Sequence, residues 1–364
     1  MLQGTVSIEE AASKRVLTGF RPTGKLHIGH LFGNVKNLVQ LQDVTEVFVF
    51  VADWHMLSTD YDRGEELDVN TSDLVVDLIA AGLDPEKAVI YRQSDLPEVA
   101  ELALYYSMIT PLSWLERNPT FKEQLSELEE RDISTHGFLG YPLLQLADIT
   151  VVKGEVVPVG EDQLPHLELG REVVRRFHNL FGAEYFPEPM GLLSDASRVP
   201  GNDGRKMSKS YGNAIFLDDS PEIVQKKIRS YITDPQKIYL KDPGRPEVCS
   251  VYSLHELFTP PEDTAIVAAE CRAGARGCVA CKDQLAGNLN ATLEPIRKRR
   301  AEAKQPGKVD QVLDLGFEKV KPIAETTLEG ARDLVGVGNS RAARGKSGVL
   351  DGSTCSGHLT SNDQ

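Results

Sequence analysis

The chain has no run of about eighteen apolar residues, which excludes a helix able to span a bilayer. Residues 1–14 have no apolar h-region and carry Glu9 and Glu10, so no signal peptide is expected, and a reducing cytoplasm is the expected setting. Cysteine is scarce there, five in 364 residues, and does not suggest disulfides. Positive charge is also short: 40 Lys and Arg stand against 54 Asp and Glu, a net charge of −14. Such a surface is not drawn to phosphate polymers as a whole, so any nucleic-acid contact must use a local basic face. No internal repeat is evident, which argues against a solenoid.

What is present is a 41% hydrophobic content, enough for a large core and naturally for two domains. Arg15–Phe20, Thr45–Ala52, Ala88–Tyr91 and Val156–Val159 read as strands, and Leu67–Leu83 as a helix between two of them. The apolar run of Thr45–Ala52 is that of a central parallel strand. Strand–helix–strand alternation predicts an α/β fold, a Rossmann-like doubly wound parallel sheet whose ligands sit at the carboxyl ends of its strands. After about Leu217 the strand patterns stop. Helices are expected over Pro221–Ile232, Pro261–Arg272, Lys282–Ala303 and Val309–Val335, giving a C-terminal helical domain. The expected divisions are an extension (1–14), a catalytic sheet domain (15–217), a helical domain (218–337) and a disordered tail (338–364).

Two short motifs lie about 180 residues apart: His27-Ile-Gly-His30 and Lys206-Met-Ser-Lys-Ser210. The first follows a strand and the breakers Pro22, Thr23 and Gly24, then opens an amphipathic helix. Free N–H groups at such a corner favour phosphate, and Gly29 lets a nucleotide approach the backbone. His27 and His30 can both donate hydrogen bonds there. The second motif follows Gly201-Asn-Asp-Gly204, hence an exposed, flexible loop, and its Lys206, Ser208 and Lys209 suit a departing pyrophosphate. Between the two, Tyr141, Gln145 and Asp148 share one helical face. A buried phenol, amide and carboxylate need partners, either a structural network or an amphipathic ligand. The strand Val156–Val159 then opens at Gly160–Gln163 onto another helix N-terminus.

Taken together and in this order, the two motifs resemble the signature pair of class I aminoacyl-tRNA synthetases. Gly19–Gly24, Asp53-Trp-His55, Glu116-Arg117 and Val157–Gln163 narrow the resemblance to the tryptophanyl enzymes. It implies ATP-dependent activation of L-tryptophan and its transfer to tRNA(Trp), by a cytoplasmic homodimer with Mg²⁺ on the phosphates. Catalysis would fall to His27, His30, Lys206 and Lys209. The nucleotide would meet Arg21, Pro22, Thr23, Gly29, His30, Gly160, Glu161, Asp162, Val199, Lys206, Met207, Ser208, Lys209 and Ser210. The amino acid would meet Asp148 (through the indole N–H), Tyr141, Gln145, Gln163, Val157, Val159, His55 and Phe20. Lys122 resembles a mobile phosphate-contacting lysine. Lys226-Lys227-Arg229 and the run Arg297-Lys-Arg-Arg300 are the local basic faces expected to meet tRNA.

Three alternatives remain on these residues. Tyrosyl enzymes place Tyr, Gln and Asp at the same offsets, and Gln145 stands where most tryptophanyl enzymes have Met. A nucleotidylyltransferase shares the first motif but not Gly160–Gln163 or the long helical region. A silent paralogue acting as a binding or regulatory protein would share the whole frame.

Cys249, Cys271, Cys278 and Cys281 add a separate signal, with spacing C-x21-C-x6-C-x2-C. Four thiols within one segment of a reducing-compartment protein point to metal. Structural zinc tends to use two Cys-x-x-Cys pairs, and only one is present. The spacing resembles that of tryptophanyl enzymes carrying a [4Fe–4S] cluster, with zinc as the alternative. Cys355, in the tail, is expected to be a free thiol.

Overall fold

The apolar runs around Val16, Val47, Ala88 and Val156 become the centre of a six-stranded parallel sheet. The computed structural model describes residues 4–119, 134–193 and 199–338. Its strands are β1 (Thr5–Val6), β2 (Val16–Phe20), β3 (Val47–Val51), β4 (Ala88–Arg92), β5 (Val156–Val159) and β6 (Met190–Leu193), in the order β1-β6-β5-β2-β3-β4. Every residue of β3 is buried, as a strand covered on both faces requires. One apolar cluster runs from β2 through Leu38, Leu74 and Leu78 to Leu289 of the helical region, and a second joins Phe48, Tyr106, Leu146, Val174 and Phe177.

Chain order runs from β2 out to β4 on one side and from β5 outward on the other, so the direction of winding reverses between β2 and β5. These two strands are in ladder register only at Val16 and Val156. Pro158 brings no N–H to the ladder, and Thr18 Oγ1 reaches its carbonyl at 3.4 Å instead. The strands therefore part toward their carboxyl ends and leave a crevice, the usual ligand position in such sheets.

Helices form where the periodicity places them, at Leu67–Ala81, Pro221–Ser230, Pro261–Arg272, Cys278–Ala303 and Lys308–Val335. The first ends at Gly82, whose φ of 120° lies in the left-handed region open to glycine. Among the elements that escape the pattern are β1, β6 and the helices Pro97–Ile109 and Ser250–Phe258. Within the stretch read as an N-terminal extension, Thr5–Val6 form β1 and pair with β6, and Ala11 is fully buried. The last helix, placed by sequence in a separate helical domain, returns to the sheet. A Cβ on its Gly316 would stand 1.8 Å from the Ile90 carbonyl oxygen of β4, so only glycine allows this approach. Val320, Ala324, Leu328 and Ala331 then bury themselves in the second cluster. The stretch from 339 onward, with the expected tail and Cys355, lies outside the described residues, as does Lys122.

Candidate active site

The parting of β2 and β5 opens a cavity of about 290 Å³. It lies between Leu17, Thr18 and Gly19 on one side and Val157, Pro158 and Val159 on the other, a size suited to a small ligand. Gly19 is needed for packing, since a Cβ there would stand 2.3 Å from the Phe50 ring. Among the expected tryptophan contacts, His55, Tyr141, Gln145, Val157, Val159 and Gln163 line this cavity. Phe20 does not; it belongs to the core cluster instead.

Asp148 departs from the simplest expectation too. Its side chain is buried beneath the cavity wall, 2% exposed, and its oxygens are engaged. Gln93 Nε2 donates to both at 2.8 and 2.9 Å, and His55 Nε2 lies 2.8 Å from Oδ2. Burial pushes the Asp148 carboxyl up while these bonds pull it down. Gln93 also accepts from the Trp54 backbone N–H at 3.1 Å, so one amide ties β4's end to the segment after β3. Sequence reasoning missed Gln93, although a glutamine directly after a buried parallel strand was a usable signal.

It missed His166 as well. That ring is buried beside Tyr141, with Nε2 2.6 Å from the phenol oxygen and Nδ1 2.8 Å from Asn118 Nδ2. Burial draws the imidazole down to about 4, so it is neutral near pH 7. With Nδ1 accepting from Asn118, Nε2 carries the proton and donates to Tyr141. Burial drives the phenol well above its ordinary value, and Tyr141 presents a neutral, oriented hydroxyl to the cavity.

The phosphate corner is built from its own backbone bonds. His27 Nδ1 accepts from Gly29 N–H at 3.1 Å, and His30 Nδ1 accepts from His27 N–H at 3.2 Å. Both rings therefore carry their proton on Nε2, outward, as donors. Burial, then the Lys209 and Lys206 charges, lowers His27 to about 4, and the same causes with His27 itself hold His30 well below the usual range. Neutral imidazoles that donate can stabilise phosphate charge without becoming cations. Gly29 sits under Met207, whose Cβ lies 3.7 Å from where a Gly29 Cβ would be.

The second motif comes back onto the first. Lys209 Nζ donates to the Gly24 carbonyl at 2.8 Å and to Thr23 Oγ1 at 3.2 Å. Ile28 N–H bonds the Ile215 carbonyl and Leu217 N–H the Leu26 carbonyl, each at 3.0 Å. The loop is more tightly held than its glycines implied. Asn213, buried to 3%, accepts from Ser208 N–H at 2.8 Å and donates to Asp203 Oδ1 at 2.8 Å. Met207 N–H bonds the Val199 carbonyl at 3.0 Å. Lys206 and Ser210 stay exposed beside it.

Arg21 and Gly160 also line the cavity. Arg21 reaches Asp60 Oδ2 at 3.1 Å, and Thr23 N–H bonds the Arg21 carbonyl across Pro22 at 2.8 Å. A Cβ on Gly160 would meet Asp162 Oδ1 at 2.6 Å, so glycine here lets the Glu161–Gln163 turn fold back. Gln163 Nε2 donates to Asp162 Oδ2 at 2.8 Å.

This arrangement can be compared with known proteins. Residues 9–294 match the family described as class I tRNA synthetases (W and Y). The chain belongs to that family. It is 49% identical to a tryptophan–tRNA ligase of Thermotoga maritima, over 87% of this chain and 98% of the relative, and 43% identical to that of Aquifex aeolicus, over 87% and 98%. A tryptophanyl-tRNA synthetase of Campylobacter jejuni, solved with ADP and tryptophan, superposes with a TM-score of 0.80 at 33% identity, covering 89% of this chain and all of that one.

The family frame leaves two further groups to place. The cysteines Cys249, Cys271, Cys278 and Cys281 are unpaired and half-buried. Burial first, then neighbouring thiols, raises Cys271, and the same causes push Cys281 up to about 12. Among the described residues, no three His, Cys, Asp or Glu side chains are grouped so as to hold a metal ion. Of the run Arg297–Arg300, expected to face tRNA, Arg300 is buried, Arg297 is half-buried, and Lys298 and Arg299 are exposed. Arg297 bonds the Asp219 carbonyl, Arg299 the Ala80 carbonyl, and Arg300 is 6% exposed among carboxylates.

Proposed function

We propose that the chain joins L-tryptophan to ATP, releasing pyrophosphate, and passes the tryptophanyl group from the adenylate to a terminal ribose hydroxyl of tRNA(Trp). The observation that carries this reading is the meeting of the two motifs at the winding reversal of the sheet, with Lys209 on Gly24 and the His27 corner beside the ligand-sized cavity. The relatives' shared substrate selects tryptophan over tyrosine.

The amino acid occupies the cavity between Val157 and Val159 on one wall and His55 on another. Tyr141 and Gln163 take its ammonium group, and Asp148, bonded to Gln93 and His55, fixes the wall against which the indole lies. The carboxylate attacks the α-phosphorus of ATP in line, and the P–O bond to pyrophosphate breaks. The enzyme's part is positioning and charge stabilisation. His27 and His30 donate from Nε2 to the phosphate chain, Lys206 and Lys209 hold the leaving pyrophosphate, and Gly160 with Asp162 receives the adenosine. Mg²⁺ bound to ATP would offset the phosphate charge beside Lys206 and Lys209. Amino-acid-dependent pyrophosphate exchange against all twenty amino acids tests the assignment. Exchange driven by tyrosine, or by none, would overturn it.

The four cysteines are proposed to hold a [4Fe–4S] cluster. The reading rests on the C-x21-C-x6-C-x2-C spacing and on Cys281 lying within electrostatic reach of the other three thiols. Such a cluster supplies a structural cross-link, since the reaction moves no electrons. Iron and zinc content of anaerobically purified protein decides between them.

A homodimer would cover Leu104, Met108, Leu112 and Leu180, which are 51 to 75% exposed. Arg176 Nε, 2.5 Å from the Ile109 carbonyl, brings two of their helices side by side. Sedimentation of Met108→Lys, expected to be monomeric, checks that face.

A further inference from the structure

The inward turn of Arg300 joins the helical region to the phosphate corner. Its guanidinium meets three carboxylates: Nε lies 2.5 Å from Asp77 Oδ1, one terminal nitrogen 3.0 Å from Asp73 Oδ1, and the other 3.6 Å from Asp218 Oδ2. Asp77 is fully buried, and its second oxygen accepts the Leu26 N–H at 2.7 Å, the residue directly before His27. Asp218 follows the Phe216–Leu217 segment that pairs with Leu26 and His27, and Lys25 Nζ lies 2.6 Å from Asp218. Arg297, one turn earlier, donates to the Asp219 carbonyl at 2.8 Å. Thus the helix Cys278–Ala303 holds two strips: the entry to the first motif and the exit from the second. Three carboxylates face Arg300, Lys25 and the more distant Lys304, so charge is balanced only while the guanidinium stays in place.

We propose that Arg300 is a positioning residue for tryptophan activation: through Asp77 and Asp218 it sets the spacing between the His27 corner and the Lys206–Ser210 loop. A planar guanidinium can bridge these carboxylates at fixed angles, whereas an ammonium cannot. The position of the helical region is thereby read at the ATP site, and not at the tryptophan cavity, which shares none of these contacts. The inference rests on the assignment of ATP to the two motifs.

Arg300→Lys and Asp218→Asn test it by pyrophosphate exchange with each substrate varied. Both keep Asp77 provided with a partner, so both are expected to fold. The activation rate should fall about tenfold or more and the ATP KM rise, since displacements near one ångström cost up to about a hundredfold. The tryptophan KM should stay within about twofold. Arg300→Met should deepen the same ATP-side defect if it folds; if it does not, the two conservative variants decide. Folded variants with lowered Tm and wild-type ATP kinetics would overturn the proposal and leave a structural clamp. Lys209→Ala separates the layers. If it too leaves ATP kinetics unchanged, the motif assignment has failed; if it is crippled while the Arg300 and Asp218 variants are not, only the positioning role has.

Discussion

Lys209 is expected to set the alkaline limit of the proposed reaction. Its ammonium is drawn into the interface between the two motifs, and burial lowers it to about 8, only partly opposed by Asp77. An ordinary lysine, near 10.5, would keep its charge across the whole range in which the protein is folded. Here the cationic form dominates below pH 8 and is lost above it, at about one decade per pH unit. Because kcat/KM reports the free enzyme, kcat/KM for ATP should be level from about pH 6 to 7.5, bend near 8, and fall about tenfold by pH 9. The kcat profile should bend later, since bound triphosphate restores the charge. His27, lowered to about 4, stays neutral throughout and contributes no limb in this window. Pyrophosphate exchange under saturating tryptophan measures both profiles. Lys209→Arg cannot lose its proton and should remove the alkaline bend even if it lowers the plateau. A wild-type profile flat to pH 10, or a bend near 8 that persists in Lys209→Arg, would refute the assignment of that limb to Lys209.

Asp148→Ala strips Gln93 and His55 of their shared acceptor and should raise the tryptophan KM by at least about tenfold with ATP KM nearly unchanged, read by exchange kinetics. Gly316→Ala forces a methyl group into the Ile90 carbonyl and should cost about 2–3 kcal/mol, a Tm drop of roughly 3–4 °C in a scanning melt. Cys278→Ser should bleach a preparation that otherwise absorbs near ~400 nm with about four irons per chain, and should weaken tRNA charging more than tryptophan activation. A colourless wild-type preparation with one zinc would instead make the site a zinc clip.

Much of the sheet was legible because its central strands are buried on both faces and so read as unbroken apolar runs, as Val47–Val51 does. The two motifs were legible for a related reason: glycine and lysine at fixed spacing mark close backbone approach and phosphate charge. What stayed hidden depended on contacts distant in sequence. β1 and β6 are two and four residues long, too short to show a period. Arg300 reads as one charge in a basic stripe until Asp73 and Asp77, more than two hundred residues away, are brought against it. Asp77 itself offered a clue, a carboxylate on the otherwise apolar face of Leu67–Ala81. Gly316 gives no local hint, because glycine inside a helix is explained only by the strand that crosses it.

That crossing also sets an order of assembly. β4 enters the sheet by residue 92, but the helix that fits over it begins at Lys308. During synthesis the nucleotide-binding half thus waits, one flank uncovered, until nearly the whole described chain has emerged. Val320, Ala324, Leu328 and Ala331 finish a hydrophobic layer begun more than two hundred residues before. Contacts of such sequence separation slow folding and expose intermediates to aggregation. A ribosome-stalled chain ending before Lys308 should therefore remain protease-sensitive around Ile90 although every strand of the sheet has already been made.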